Sequence, residues 1–250
     1  MFGKYSNTLY FLIYKNLQLK YKHSLLGFVW SFLHPLLFLL ILTIVYAKFS
    51  AMPNYPLFDL SGMIFWFYFA GSVSQLSGVF IKHSGLLKAL NIKKTLYAVS
   101  EQGAELVNFL IGMVVFFIIM HFMGMKITWN LLYILPIIIL FSLFTFSLGL
   151  ILGSLNVFFR DVGILWNTLN QALFFLTPIF YSVDIVPQKY LLYIKLNPLY
   201  HLFFIVRNVL YEGTAPSLHH VEYSSIATSF LLLIAIFVYR KTQNGFISNL

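Results

Sequence analysis

The sequence predicts an all-α polytopic membrane protein with six transmembrane helices, an N-terminal amphipathic interface helix and short re-entrant gate helices on the outer side. Three observations carry this. Only 9% of the 250 residues are charged and 60% are hydrophobic, against about 25% charged in a soluble domain whose surface must face water. Such a chain cannot cover a globule with polar side chains, so most of its outer surface faces lipid. Apolar runs of about 20 residues, the length that crosses a hydrocarbon core, recur along the chain. The basic residues fall in the gaps between those runs, so topology explains the net charge of +9 better than nucleic-acid binding does.

The chain reads as one transmembrane domain, 1–250. Its runs cover 25–47, 57–81, 102–123, 131–159, 162–183 and 223–239. The fourth is long enough to tilt or protrude, and the sixth is short and extends upstream. A further run at 190–211 holds Lys195, Asn197, Pro198, His201 and Arg207, which are costly at the bilayer centre. It is predicted as two short helices broken at Pro198, within an outer gate segment 186–211. With six spans and a cytoplasmic N-terminus, the inside holds Lys4, Lys15, Lys20, Lys22, Lys82, Lys88, Lys93, Lys94, Arg160, Arg240 and Lys241. The outside holds Lys48, Lys126, Lys189, Lys195 and Arg207. This bias is the one expected of an inner-membrane protein, and a seventh full span would send Arg240 and Lys241 outside.

Ahead of the first span, 6–22 places Leu9, Ile13 and Leu17 on one face among Lys15, Lys20 and Lys22, the pattern of a helix lying in the interface. A basic flank that merely orients the first span is the plainer reading. Charges throughout this region and no cleavage site argue against a removable signal peptide. The inner loop 82–101 is basic, and Leu86, Leu87, Leu90 and Ile92 would share one short helical face. It reads either as a docking helix for a partner or as a solvated loop.

The search for catalytic groups is mostly negative. There is no G-x-x-x-x-G-K-S/T loop to cradle ATP phosphates and no cysteine. The seven histidines lack ligand spacing, the adjacent His219 and His220 falling in a loop. Of the acidic residues, only Glu105 is expected appreciably inside a helix, so the midplane charges of an ion-coupled carrier are missing. Any transport must therefore be driven by something else. The fifth run is interrupted at Thr177-Pro178, and such breaks survive in lipid only where protein buries them or a cavity is lined. A benign kink is the alternative. Aromatics make up 19% of the chain and sit inside runs as well as at their ends: Trp30, Phe32 and Phe38 in the first, Trp66 and Tyr68 in the second, Trp166, Phe174 and Phe175 in the fifth. They are candidates for a sugar-stacking path, with ordinary packing as the competing role.

Several motifs occur together in order. Lys20 to Trp30 contains Ser24-Leu25-Leu26-Gly27 and is followed by His34-Pro35-Leu36. Gly62 and Trp66 come next, then Asn156 to Val162 with Phe159-Arg160-Asp161. Thr177-Pro178-Ile179-Phe180-Tyr181, Val186-Pro187 and Asn197-Pro198-Leu199 before Arg207 complete the set. The set, spanning about residues 10 to 213, resembles the permeases of type-2 ABC transporters that export polysaccharide (O-antigen, capsule or teichoic acid). Lys93-Lys94-Thr95-Leu96-Tyr97 lacks the proline that many relatives carry in the cytoplasmic loop.

The resemblance implies a bacterial inner-membrane homodimer with both termini cytoplasmic and a channel between two six-span subunits. A separate ATPase subunit would hold the ATP and Mg, leaving no cofactor in this chain, and would couple through Lys82, Leu86, Leu87, Lys88, Leu90, Lys93 and Lys94. Pro178, Phe180, Tyr181, Asn197, Pro198 and Arg207 would form the outer gate. The substrate would be a glycan on undecaprenyl diphosphate, O-antigen first, its headgroup attracted by Lys20, Lys22 and Arg160. A competing class, a polyprenyl-dependent membrane glycosyl- or acyltransferase, would need an acid–base pair that the sequence does not display.

Overall fold

The computed structural model describes residues 5–22, 54–89, 92–125 and 128–250, with single positions between 29 and 45. The first predicted span therefore lies mostly outside the described residues, as do Phe32, Phe38 and Leu90. Every regular element among the described residues is helical. α1 (Ser6–Tyr21) precedes α2 (Tyr55–Ser77), which Pro56 starts at the position where a missing N–H costs nothing. Gly78 ends α2, and the short α3 (Val79–Lys82) and α4 (Ser84–Ala89) lead to α5 (Thr95–Phe122). A 3-10 turn at Trp129–Tyr133 feeds α6 (Ile134–Asn156). There follow α7 (Asp161–Leu176), α8 (Gln188–Leu196), α9 (Pro198–Leu210), α10 (Leu218–Thr242) and the terminal turn α11 (Phe246–Asn249).

Among the described residues four helices are long and apolar enough to cross a membrane: Tyr55–Ser77, Thr95–Phe122, Trp129–Asn156 and Leu218–Asn249. The last begins upstream of the predicted 223–239. The predicted run 162–183 is different: its helix stops at Leu176. At 1.5 Å per residue its 16 residues reach about 24 Å, short of the roughly 30 Å hydrocarbon core. α5 starts at Thr95 rather than at 102, so Glu101 joins Glu105 inside a helix, and Asp59 lies one turn into α2. All three are buried. Glu105 is thus not the only acid in a span.

α2 is the central strut. Leu57, Leu60, Met63, Phe65, Phe69, Val73 and Leu76 are almost wholly buried, and the helix packs on α5, α6, α7 and α9. Lipid tails give helices no hydrophobic reason to associate, so close backbone approach has to supply the cohesion. Gly149 and Gly153 of α6 provide it: a Cβ on Gly153 would lie 2.4 Å from the Leu76 carbonyl oxygen. α2, α5 and α6 also share a buried polar knot. Tyr68 Oη donates to Ser142 Oγ at 2.8 Å, while the Gln102 amide donates to Tyr68 Oη at 2.8 Å and to the Ser142 carbonyl at 3.0 Å.

A second apolar cluster gathers at the end of α2 that carries Leu76. It unites Leu12 of α1, Phe80, Leu87, Tyr97, Val157 and Phe246, so α1, the 78–95 loop, the α6–α7 turn and the C-terminus meet at one end of the bundle. Gly153→Ala is expected to lower the melting temperature in detergent, at a cost of about 1–3 kcal/mol for overpacking. Gly85→Ala, whose added Cβ meets nothing within 4 Å, should leave melting unchanged. Equal melting of the two variants would contradict this packing.

Candidate functional site

The break after α7 follows from local chemistry. Proline disfavours helical geometry in the residue before it and has no N–H to continue the ladder. Thr177 is accordingly extended, at φ −101° and ψ 129°, and is fully buried. Ending a helix leaves carbonyls without partners, and in lipid each must find a donor within the protein. The structure supplies them one by one. Tyr181 Oη donates to the Phe175 carbonyl at 2.9 Å. Arg207 Nη1 donates to the Pro178 carbonyl at 2.6 Å, and Nη2 donates to that of Ile179. Tyr55 Oη donates to the Phe180 carbonyl at 2.8 Å.

Arg207 reaches the break from α9. Its guanidinium lies 3.7 Å from the centre of the Phe58 ring, a favourable seat for a cation. Gly62 of α2 makes room, since a Cβ there would sit 2.6 Å from the Ile179 carbonyl oxygen. Asp59, one turn earlier, is fully buried, and its carboxyl oxygens have no hydrogen-bond partner among the described residues. A second hinge is tied to the first. Asn197 Nδ2 donates to Thr177 Oγ1 at 3.0 Å, while Asn197 Oδ1 caps α9 by accepting from the Leu199 N–H at 3.0 Å, with Pro198 as the first helical residue. Of the six residues expected at the outer gate, Pro178, Phe180, Tyr181, Asn197 and Arg207 meet around this turn, and Pro198 follows Asn197 as the start of α9. Tyr55 and Asp59 belong to it too, and sequence reasoning passed over them: Tyr55 lies before the run taken as the span, and Asp59 reads as a span-end charge.

The expected path aromatics divide. Trp66, Tyr68 and Trp166 are buried within the single chain, where they pack rather than face a surface. Trp66 lies 5.4 Å from Phe174, which lies 5.4 Å from Phe180, so part of this set runs up to the turn after α7. Phe175 is exposed, and Trp30 is half-exposed. On α7, Asn167, Gln171 and Phe175 recur every fourth residue, all exposed, and so share one outward face. The sequence signal was available in that spacing, but attention to aromatics obscured the amides.

At the opposite end, the residues expected to couple to a partner also divide. Leu87 is buried and Leu86 is half-buried, so both hold the loop in place. Glu101 Oε1 gathers Lys82 Nζ at 2.8 Å and His83 Nε2 at 2.9 Å. Lys94 donates to the Gln243 carbonyl and lies 5.2 Å from the Phe246 ring, and burial draws its ammonium below the ordinary lysine range. Lys93 lies 5.5 Å over the Tyr5 ring. Gly85, Lys88, Ala89 and Lys93 remain exposed. Of the expected headgroup cations, Lys22 and Arg160 are exposed on separate elements, whereas Lys20 is paired with Glu105 at 2.8 Å.

His219 and His220 lie in the first turn of α10 rather than in a loop. His201 Nε2 faces the Lys195 carbonyl at 2.7 Å and so carries the proton there, leaving Nδ1 to accept from His220 Nδ1 at 2.8 Å. Among the described residues no group of three or more His, Cys, Asp or Glu is placed to hold a metal ion.

A helical membrane scaffold, a braced break and a gathered basic loop at the other end are the features against which known proteins can be compared. Residues 7–211 match the ABC-2 type transporter family. The chain belongs to that family. Its relatives include the O-antigen export system permease protein RfbA of Klebsiella pneumoniae, 29% identical over 238 residues that cover 93% of this chain and 90% of the relative. RfbA of Myxococcus xanthus is 26% identical, covering 97% and 95%. The polysialic acid transport protein KpsM of Escherichia coli is 24% identical, covering 95% and 94%. In this ABC-2 member the braced break is expected to depend on Arg207. Arg207→Met leaves two buried carbonyls bare, at about 1–3 kcal/mol each, and Tyr55→Phe leaves one. Hydrogen–deuterium exchange across 179–183 should rise strongly in the first and less in the second. Exchange unchanged in Arg207→Met would refute the brace.

Proposed function

We propose that this chain is the membrane-spanning subunit of an ATP-driven exporter that moves a polysaccharide built on undecaprenyl diphosphate out across the bacterial inner membrane, O-antigen before capsule or teichoic acid. The observation that carries the reading is α7. It is a membrane helix too short to cross alone, it ends in a turn where side chains hold the carbonyls of Phe175, Pro178, Ile179 and Phe180, and it turns amides outward. Hydrocarbon does not reward exposed amides, whereas a sugar polymer offers hydroxyls to Asn167 and Gln171 and C–H faces to Phe175. The names of the relatives, export permeases for O-antigen and a transport protein for polysialic acid, support the same substrate class.

On this proposal the membrane is crossed six times, by the four long helices, by α7 with the turn after it, and by the run 25–47. Two copies face each other across α7, and both termini are cytoplasmic. The segment 177–211 closes the outer end. A separate ATPase docks on the exposed positions of the inner loop, Lys88 and Lys93 foremost, beside α1. Lys22 and Arg160 remain free to draw in the diphosphate.

Two tests follow. Co-expressed with its ATPase, the chain should restore surface polysaccharide to an export-deficient strain, and Asn167→Leu with Gln171→Leu should lower export several-fold while folding is retained, since both positions are exposed. Export without any ATPase, or a covalent glycan product made by this chain alone, would overturn the proposal. Charge reversal at Lys88 and Lys93 should weaken ATPase co-purification by about the few-fold factor that exposed ion pairs supply. Undiminished co-purification would move the docking site elsewhere.

A further inference from the structure

A cavity of about 410 Å³ opens between α1, α2 and α5, with Trp30 also in its lining and no residue of α7 or α9 among the lining residues. Its polar wall holds Lys20, Tyr21, Glu105 and Asn108, and Ile64 and Phe67 are among its apolar lining. Lys20 Nζ stands 2.8 and 2.9 Å from the two Glu105 oxygens. The Glu105 side chain is 8% exposed and that of Lys20 is 39%. The wall therefore presents one cation and one anion, with no net charge between them. Asn108 Oδ1 accepts from Tyr21 Oη at 2.9 Å, but the buried Asn108 Nδ2 has no acceptor among the described residues. An unanswered amide donor within a membrane protein is costly, and the side chain that carries this one lines the cavity, so a turn of the amide would bring Nδ2 to an acceptor there. Gly71 keeps the approach to the carboxylate open, since a Cβ there would stand 3.4 Å from Glu105 Oε2.

We propose that the cavity walled by Lys20, Glu105 and Asn108 binds a zwitterionic phospholipid whose headgroup carries a primary ammonium and a phosphodiester, as phosphatidylethanolamine does. The ammonium replaces Lys20 on Glu105, Lys20 turns to the phosphate, and the Asn108 amide turns so that Nδ2 donates to a phosphate oxygen, so Lys20, Glu105 and Asn108 each meet a partner of opposite kind. An anionic headgroup would bring negative charge to Glu105 with no cation to spare. A choline headgroup has no N–H to give the carboxylate. Bound there, the lipid fastens α1 to α5, where Asn16 Nδ2 already donates to Ser100 Oγ at 3.3 Å. The inference rests on the membrane reading and is independent of the exported cargo.

The test is native mass spectrometry of the full-length chain, delipidated in detergent and offered equimolar phosphatidylethanolamine, phosphatidylcholine, phosphatidylglycerol and a polyprenyl diphosphate. Phosphatidylethanolamine should be retained about tenfold over each of the others, the worth of one charge-assisted hydrogen bond. Glu105→Gln should reverse the order toward phosphatidylglycerol by freeing Lys20, and Asn108→Leu should weaken both lipids alike without changing their order. Equal retention of the phospholipids by the wild-type chain, or preferential retention of the polyprenyl diphosphate, would overturn the inference even if the variants failed to fold. So would an unchanged order in folded Glu105→Gln.

Discussion

A backbone that stops being helical inside lipid must find a donor for every carbonyl it releases, and the rest of this structure is arranged around that requirement at one turn. Between Phe175 and Phe180 the chain frees several carbonyls at once. Tyr181 answers locally, Tyr55 answers from α2, and Arg207 answers two together from α9. A planar fork holds its N–H groups in a fixed geometry and is more weakly hydrated than an ammonium, which suits an arginine to two adjacent buried carbonyls. Burying that arginine is helped by the Phe58 ring beside it. Letting the turn close on α2 needs glycine at 62. One backbone problem thus fixes the identity of residues on α2, on α9 and in the turn itself.

α2 carries the consequences from one end of the bundle to the other. Its first turns hold Tyr55, Phe58, Asp59 and Gly62 against the break, and its last turn places Leu76 against the glycines of α6, above the cluster that gathers Phe80, Leu87 and Phe246. Asn156 reinforces this lower junction: its amide donates to the Ser77 carbonyl at 2.8 Å, and its oxygen accepts from the Gly163 N–H at 3.2 Å. The end of α2, the end of α6 and the start of α7 are therefore joined through one side chain. On the proposed function, work done by an ATPase on the loop after α2 reaches the opposite end through a rigid, buried strut and through α7 itself, without any long flexible connection.

The helical membrane class was legible from composition, and both breaks were legible because proline announces itself locally. What escaped the sequence depends on contacts between distant positions. Arg207 reads as a charge best kept out of the bilayer, and nothing nearby shows that its partners are carbonyls 28 and 29 residues upstream. Glu101 reads as the edge of a hydrophilic loop, yet it belongs to α5 because Lys82 and His83 absorb its charge. Leu86 and Leu87 show the right periodicity for a helical face, but periodicity does not say whether that face meets a partner or the protein's own core. Trp66 and Trp166 fail as surface candidates for the same reason. A large aromatic fills space between helices as readily as it lines a path, and burial alone separates the two uses.

On the proposed function, the junction between Thr177 and Asn197 must open for export. The chain has no cysteine, so Thr177→Cys and Asn197→Cys can be introduced without background, at side chains whose polar atoms stand 3.0 Å apart. Bridging the two thiols with a short bifunctional reagent, in vesicles that contain the ATPase, should abolish polysaccharide export while nucleotide hydrolysis continues, and reduction should restore it. Export at the same rate before and after bridging would contradict the account.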